Sequence, residues 1–579
     1  MNEHPSEEPT SPDRTRTFMI AAGVTAGLVI ALVALLLIDP FGWNVFGLKR
    51  AEVAAQAIPT DVAIYLSLDL GNIICEDLNP IVWAFSDEFK EEGKCAIDEF
   101  FSSLDEDIPE SWGLTFADDV QPWLGDSIAM GLGDLDLDIY GDLNDAEIMF
   151  AIEVSNPAAA DDFMHKMMGL MAEETGIQFL EETYQDATLY YVDAEDALDQ
   201  TTLSRSGDLL IFGLGKSDVM AAIDALQGES LADSSAFQDS IAELPSGRML
   251  TIFMNSDQIF EMASGLFESL GEANTFEALG DSFGPTHYEA AGVYIVDAGL
   301  RVDFSFVLDP DDIDEETLAV YQDAGKRPQT ETLMPEGSLV YHVGSGIHKI
   351  VENLQANLVS TEGAEDFAES LMMFEMTFGF SPFEDFLGKL DGEWAFTIMP
   401  SSEGILAEGL GVPLDFIFLA ETSNPEEMGD VTERIGFLIS MLEIGMVQTL
   451  EFDKTTLYEL VDMMIGESIL TFGMGEEYFV LGSSTSSIND LFAGGPSLAD
   501  SERYNQVWQE FPKDMSPVTF IDIRGLTTAL EGSIPSMIQE SFEQEGEQYT
   551  NPITYFAIAG TPMEDGVARA TMILFIETE

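Results

Sequence analysis

An internal duplication constrains what this chain can fold into more than any other feature of its sequence. The pentapeptide Ser-Leu-Ala-Asp-Ser occurs at 230–234 and again at 497–501, and Ser-Asn-Pro occurs at 155–157 and again at 423–425. Several further matches follow in the same order along the two halves. This indicates a tandem duplication, because chance matches would not preserve their order.

The duplication divides the chain into parts. Two homologous units are predicted over 58–309 and 334–579, and each is long enough to bury a core of its own. The polar and charged residues 310–333 between them are typical of a linker.

Strands and helices are mixed within each unit. Residues 146–154 alternate between apolar and polar side chains, as in a half-buried strand. Asn156 and Pro157 then favour the start of a helix, and Asn424 and Pro425 repeat that signal. Successive strands without intervening helices favour antiparallel pairing. The predicted fold class is α+β, with an N-terminal transmembrane helix followed by two tandem homologous units, each a largely antiparallel sheet with packed helices.

The transmembrane helix is predicted from residues 18–38, an apolar run without a charge. At about 1.5 Å per residue the run crosses the roughly 30 Å core of a lipid bilayer, which is its predicted partner. Residues 1–17 would be a disordered cytoplasmic tail and 39–57 a juxtamembrane linker. Arg14 and Arg16, close to the run, favour a single-pass protein of the cell membrane, with a cytoplasmic N-terminus and an extracytoplasmic C-terminal region.

The charge of the chain excludes one class of partner. The 107 Asp and Glu residues against 21 Lys and Arg residues give a formal net charge of −86. Nucleic acid is excluded, because phosphate contacts need clustered Lys and Arg side chains. Disorder of the whole chain is disfavoured, since 46% of the residues are hydrophobic. Adaptation to salt and weak binding of divalent ions both remain explanations of the acidity.

Five aspartates form the densest group of candidate metal ligands: Asp134, Asp136, Asp138, Asp142 and Asp145. Their spacing matches positions 1, 3, 5, 9 and 12 of an EF-hand loop, but Ile139 stands where that loop needs Gly. The alternation of Asp with Leu also suits a strand or hairpin with an acidic edge. The group is a weak Ca²⁺ candidate, and no other cofactor is expected.

Cys75 and Cys95 are the two cysteines of the chain. Outside the cytoplasm a disulfide between them would close a short loop and stabilise the fold by roughly 3 kcal/mol. Two buried free thiols are the alternative.

The sequence contains no convincing catalytic motif. The segment 213–218 follows a strand and precedes a helix, as a dinucleotide-binding loop does, but Asp218 replaces the third glycine. The serines lack a nucleophile elbow, so the protein is predicted not to be an enzyme. Two methionine-rich stretches at helical spacing, 164–171 and 372–376, are predicted to pack in the core, with an adaptable apolar groove as the alternative.

The strands that open the two units, Pro59–Tyr65 and Pro335–Tyr341, resemble those of a bacterial family of uncharacterised membrane-anchored proteins, known as domain of unknown function thirty-three fifty-two. So do the turns at 123–126 and 390–393 and the step from a strand to an Asn-Pro helix start. The resemblance covers most of 58–579 and implies a single-pass or exported protein. It implies no catalytic residue.

These observations predict a membrane-anchored extracytoplasmic protein that acts without catalysis, by binding or scaffolding at the cell envelope. Its partner would be an unknown protein or an apolar ligand. Two alternatives are a carrier of an apolar or lipid ligand between the two units, and an envelope hydrolase whose polar side chains converge only in the folded chain.

Overall fold

The structure of the protein is a computed structural model. It describes residues 53–578 except 86–94, 98–100, 102–111, 138–142, 177, 193–200, 263–285, 309, 311–312, 314–317, 319–321, 323–325, 349–363, 410, 442–444, 453–454, 463–465, 467 and 532–551. The predicted transmembrane helix 18–38 and the predicted tail 1–17 therefore lie outside the described residues.

Membrane topology has to be corrected. None of the described helices combines the length and the apolar composition that a bilayer crossing requires. The prediction of a single-pass membrane protein with a cytoplasmic N-terminus was based on the segment 18–38 alone. The described helices do not support it.

The described residues divide into two compact units. The first holds the described residues up to 262 together with Ala290–Ile295, and the second holds 286–289 and the described residues from Val296 onward.

Strands and helices of the first half alternate in short groups. Its strands are β1 Ile64–Asp69, β2 Leu124–Leu137, β3 Leu143–Val154, β4 Leu180–Tyr184, β5 Ala187–Tyr191, β6 Thr202–Ser206, β7 Leu209–Gly213, β8 Leu250–Asn255 and β9 Thr286–Val296. Its described helices are α1 Cys75–Phe85, α2 Pro157–Thr175, α3 Lys216–Gln227 and α4 Ser235–Ala242.

The second half follows a similar plan. Its strands are β10 Gly299–Leu308, β11 Val340–Ser345, β12 Glu393–Pro400, β13 Leu414–Glu421, β14 Met446–Phe452, β15 Thr455–Val461, β16 Ser468–Met474, β17 Tyr478–Gly482, β18 Ser516–Asp522, β19 Ile553–Gly560 and β20 Val567–Ile576. Its described helices are α5 Ala364–Phe378, α6 Pro425–Met441, α7 Thr485–Phe492, α8 Glu502–Trp508 and α9 Ile523–Leu530.

Neighbouring strands pair in the antiparallel sense in both units. In the first unit the order across the sheet is β4, β5, β6, β7, β3, β2, β1, β8. In the second unit β14, β15, β16, β17, β13, β12, β11 and β18 take the corresponding places, and the order continues through β19, β20 and β10.

The predicted fold class is wrong in its architecture. The strand β10 belongs to the sheet of the second unit instead of the first, and no described helix could cross a membrane. The decisive strand is β10, which the sequence places at the end of 58–309. It pairs with β20, from Gly299 opposite Phe575 to Val307 opposite Val567. Apolar alternation predicts a strand but not its neighbour, because every open strand edge offers the same backbone donors and acceptors.

The repeated pentapeptide is a capping motif. Ser230 and Ser497 each precede a short 3-10 turn, and the carboxylates of Asp233 and Asp500 accept the backbone N–H groups of these serines at 3.1 and 2.9 Å. The leucine after each serine is fully buried. Each residue type therefore has a structural task, which accounts for its recurrence.

The helix start predicted at Asn156 is confirmed. The Asn156 side chain accepts a hydrogen bond from the N–H of Ala159 at 3.4 Å, and Pro157 occupies the first turn of α2. Gly176 ends the helix at a φ of 73°, a left-handed conformation that favours glycine.

One core lies in the second unit. It is built from apolar side chains of β11, β12, β13, β18, β19 and β20 with those of α7 and α8. At its centre Tyr504 contacts Tyr341 and Phe520 edge to face, with ring centroids 6.1 and 5.3 Å apart. A smaller core holds α2 against the first unit's sheet around Trp123, Met164 and Met168.

Candidate binding surface

An apolar surface on the outside of the second unit is the candidate functional site. Met372, Met373 and Met376 on α5 are 61, 60 and 82% exposed. Phe437 and Met441 on α6 and Met446 on β14 are 69, 53 and 49% exposed. The helices α5 and α6, which carry five of these residues, pack against each other, and exposed large apolar side chains on packed neighbours mark a candidate interaction site. We call these six residues the methionine surface.

The inner faces of α5 and α6 explain why the methionines point outward. Phe374 and Phe378 of α5 pack against Val431 and Leu438 of α6 in one apolar cluster. Since α-helical side chains repeat every 3.6 residues, the residues at 372, 373 and 376 fall on the opposite side of α5 from this contact.

The helix α6 is also fixed to the sheet. Met428 of α6 is fully buried with Phe472 and Phe479 of strands β16 and β17. Arg434 of α6 donates a hydrogen bond from Nη1 to the carbonyl of Gly379 at 3.1 Å, just beyond the end of α5. The surface therefore lies on anchored helices, while the methionine side chains themselves are flexible.

The two methionine-rich stretches differ in burial. Met164, Met168 and Met171 of α2 are buried, so the prediction of core packing is confirmed there. The same prediction is wrong for the stretch 372–376, whose methionines are exposed. Both stretches have helical spacing, and the difference lies in which elements cover each helix.

Sequence reasoning did not single out Phe437 and Met441. They are four residues apart on α6 and therefore lie on one side of that helix, next to the exposed Glu433 and Arg434. The sequence did contain a signal for these two exposed residues. It was the presence of an aromatic residue and a methionine on the otherwise charged side of a helix.

Exposed acidic side chains share the helices of the methionine surface. Glu375 is exposed between Met373 and Met376, and Asp430 and Glu433 are exposed on α6. The chain as a whole is also negatively charged, with a formal net charge of −86. A partner that covers the surface must therefore be apolar at its centre and tolerate or favour carboxylates at its edge.

The predicted calcium ligands lie on a β-hairpin. Asp134 and Asp136 belong to β2 and Asp145 to β3, with Asp136 opposite Asp145, while Asp138 and Asp142 lie outside the described residues. A hairpin is the alternative that the alternating Asp and Leu residues left open, and Ca²⁺ binding stays a prediction. Within the described ranges, no group of three or more His, Cys, Asp or Glu side chains is arranged to hold a metal.

The two cysteines form a disulfide in the first unit. The Cys75 and Cys95 sulfurs are bonded, and their Cα atoms are 5.1 Å apart. Asn79 of α1 reinforces the link, since its Oδ1 accepts the N–H of Ala96 at 2.8 Å.

The sequence pattern of the family of proteins of unknown function DUF3352 matches residues 18–576. The chain belongs to this family. No curated protein matches it. Two solved structures, crystal forms III and I of TP0453, are similar to 48% of this chain and 86% of their own, at 10 and 9% identity and TM-scores of 0.23 and 0.22. These scores are too low to carry an argument. Membership of DUF3352 supports the resemblance seen in the sequence, but not the membrane anchor.

Proposed function

We propose that this DUF3352 protein is a non-enzymatic binding protein, and that the methionine surface holds its partner. The observation that carries the proposal is the exposure of Met372, Met373 and Met376, between 60 and 82% on an anchored helix. Methionine suits such a surface, because its unbranched thioether chain adapts to partners of different shape.

The charge around the surface favours one kind of partner. The occupant we propose is a protein segment that forms an amphipathic helix with an apolar stripe flanked by Lys and Arg. Its stripe would cover the methionines, and its cations would meet Glu375, Asp430 and Glu433 at the edge. A purely apolar lipid chain would leave those carboxylates without a counterpart.

A peptide titration with the full chain tests the proposal. The probe is a helical peptide of Leu and Lys, compared with the same peptide carrying Glu in place of Lys. We expect the Leu/Lys peptide to bind the wild-type protein. In the triple variant Met372→Ser, Met373→Ser, Met376→Ser its Kd should rise at least about tenfold, because the variant lacks apolar groups that the bound peptide would bury.

Leu180→Ser provides the matched control, because Leu180 is another exposed apolar residue, 42% exposed, on a strand of the first unit. It should leave the Kd unchanged. Equal weakening by the control and the triple variant would reject the surface. Binding of neutral phosphatidylcholine vesicles, with no binding of the peptide, would overturn the proposal in favour of a lipid ligand.

A further inference from the structure

Three methionines of the methionine surface form a compact group on α5. The side chains of Met372, Met373 and Met376 are largely exposed. At about 100° of rotation per residue, Met376 lies between the other two on the helix surface, four residues from one and three from the other. Helical side chains at these spacings are neighbours, with Cβ atoms about 5–6 Å apart. Because the methionine side chain is unbranched and flexible, the three sulfurs can reach a common point above the helix.

The helix that carries the group is regular up to its end. The carbonyl of Glu375 accepts the N–H of Gly379 at 2.7 Å, which is an α-helical bond, and the carbonyl of Met373 accepts the Thr377 hydroxyl at 2.6 Å. The apolar cluster shared with α6 holds the other side of the helix. The spacing of the three methionines is therefore fixed by the backbone, and only their side chains have to adjust to a ligand.

The chemistry of the group favours a soft metal ion. Thioether sulfur is a soft ligand that suits Cu(I), whereas Mg²⁺ and Ca²⁺ take oxygen ligands. The exposed carboxylate of Glu375 lies in the same turn of α5 and adds a negative charge that attracts a cation. The group thus offers three soft ligands and a nearby negative charge.

The methionines of α2 show that helical spacing alone does not make such a site. Met164, Met168 and Met171 also recur on one side of their helix, but they are buried in apolar clusters with residues of other elements. An ion in solvent cannot reach their sulfurs. The group on α5 combines the same kind of spacing with open access.

We propose that Met372, Met373 and Met376 bind a soft monovalent metal ion such as Cu(I) through their three thioether sulfurs. The inference goes beyond the proposed function and does not depend on it, because peptide binding uses the apolar area of these side chains and metal binding uses their sulfur atoms. Leucine separates the two roles, since it conserves the volume and apolar character of methionine but has no sulfur.

Calorimetric titration of the full chain with silver nitrate tests the inference. Ag(I) has the charge and softness of Cu(I) and is not oxidised by air. Sodium nitrate at about 0.15 M screens general attraction to the acidic surface and does not precipitate silver. The two cysteines of the chain are bonded to each other, so no thiol competes for the ion. We expect saturable binding of Ag(I) that an excess of Ca²⁺ does not displace.

Leucine variants locate the bound ion. Met376→Leu should raise the Kd for Ag(I) at least about tenfold, because one of three ligands is lost. The triple variant Met372→Leu, Met373→Leu, Met376→Leu should lose this binding. Met446→Leu is the matched control, since Met446 is an exposed methionine on β14, and it should leave the Kd unchanged. Equal weakening by Met376→Leu and Met446→Leu would overturn the site, as would displacement of Ag(I) by Ca²⁺.

A second titration separates the metal site from the peptide site. The triple leucine variant should bind the Leu/Lys peptide with the wild-type Kd while it fails to bind Ag(I). Wild-type protein that binds the peptide but not Ag(I) would overturn the metal site alone. Wild-type protein that binds Ag(I) but not the peptide would reject the proposed function and leave the metal site in place, provided that the triple leucine variant loses Ag(I).

Discussion

Glu331 and Tyr504 form a buried polar pair in the second unit. The Tyr504 hydroxyl donates to Oε2 of Glu331 at 3.1 Å, and Arg327 Nε donates to Oε1 of the same carboxylate at 2.7 Å. In the first unit the corresponding residues are Ala55 and Phe237, and both are buried. The same fold position thus accepts either an apolar pair or a charged group with its donors.

The pair leads to a stability prediction. Tyr504→Phe leaves a buried carboxylate oxygen without its donor, so we expect the free energy of unfolding to fall by about 1–3 kcal/mol. The double variant Tyr504→Phe, Glu331→Ala reproduces the residues of the first unit and should recover part of this loss. Urea unfolding of both variants measures the effect. A double variant that is no more stable than Tyr504→Phe alone would contradict it.

Burial raises the pKa of the Asp69 carboxyl, which predicts a pH dependence. A carboxyl with a folded-state pKa above its ordinary 3.8 contributes stability that is present below pH 3.8 and lost as the pH rises through the folded-state pKa. The variant Asp69→Asn cannot ionise. Its unfolding free energy, relative to the wild type, should therefore be higher at about pH 7 than at about pH 3. A difference that is the same at both pH values in urea titrations would rule out this linkage.

At the scale of elements, the helices α2 and α5 carry similar methionine patterns with opposite burial. Met164 and Met168 pack against the sheet with Trp123, whereas α5 uses Phe374 and Phe378 for its contacts. Periodicity predicted that both segments are amphipathic. It could not show that the phenylalanines of α5 would take the inner face, because that depends on the shape of α6.

Oxidation should distinguish the two helices. Under mild hydrogen peroxide, Met372, Met373 and Met376 should form sulfoxides before Met164 and Met168, because oxidation requires access of the reagent to sulfur. Peptide mass spectrometry of the folded protein follows the order, and the same treatment in urea is the control in which the difference disappears. Equal rates in the folded protein would mean that α5 is covered.

At the scale of the whole molecule, β10 decides the architecture. Gly299 begins this strand at a φ of 134°, and a Cβ built there would lie 2.3 Å from the carbonyl oxygen of Leu574 in β20. Neither this conformation nor this contact tolerates a side chain. The close approach of β10 to the C-terminal strand therefore depends on a glycine at this position.

Substitution of that glycine tests the pairing. Gly299→Ala should lower the free energy of unfolding by more than about 1 kcal/mol, since the new Cβ is strained and meets the backbone of β20. Gly337→Ala is the matched control, because a Cβ at Gly337 meets nothing within 4 Å and its φ is ordinary. If urea unfolding shows equal stability for the two variants, β10 and β20 do not pair in this register.

Features set by a few neighbouring residues could be read from the sequence. The cap at Asn156, the strand at 146–154 and the buried methionines of α2 depend on backbone dihedrals, local hydrogen bonds and periodicity. The family, too, was recognisable from short motifs. None of these depends on which distant element lies alongside.

The tertiary structure decided what each face meets. It joined β10 to β20, left the methionines of α5 exposed, and placed Asp69 of β1 opposite Ser127 of β2. The sequence by itself determined the caps, the periodicity and the acidic charge, because those follow from residues close along the chain. Strand neighbours and exposure arise from contacts between distant residues, and backbone hydrogen bonding at a strand edge does not specify its partner.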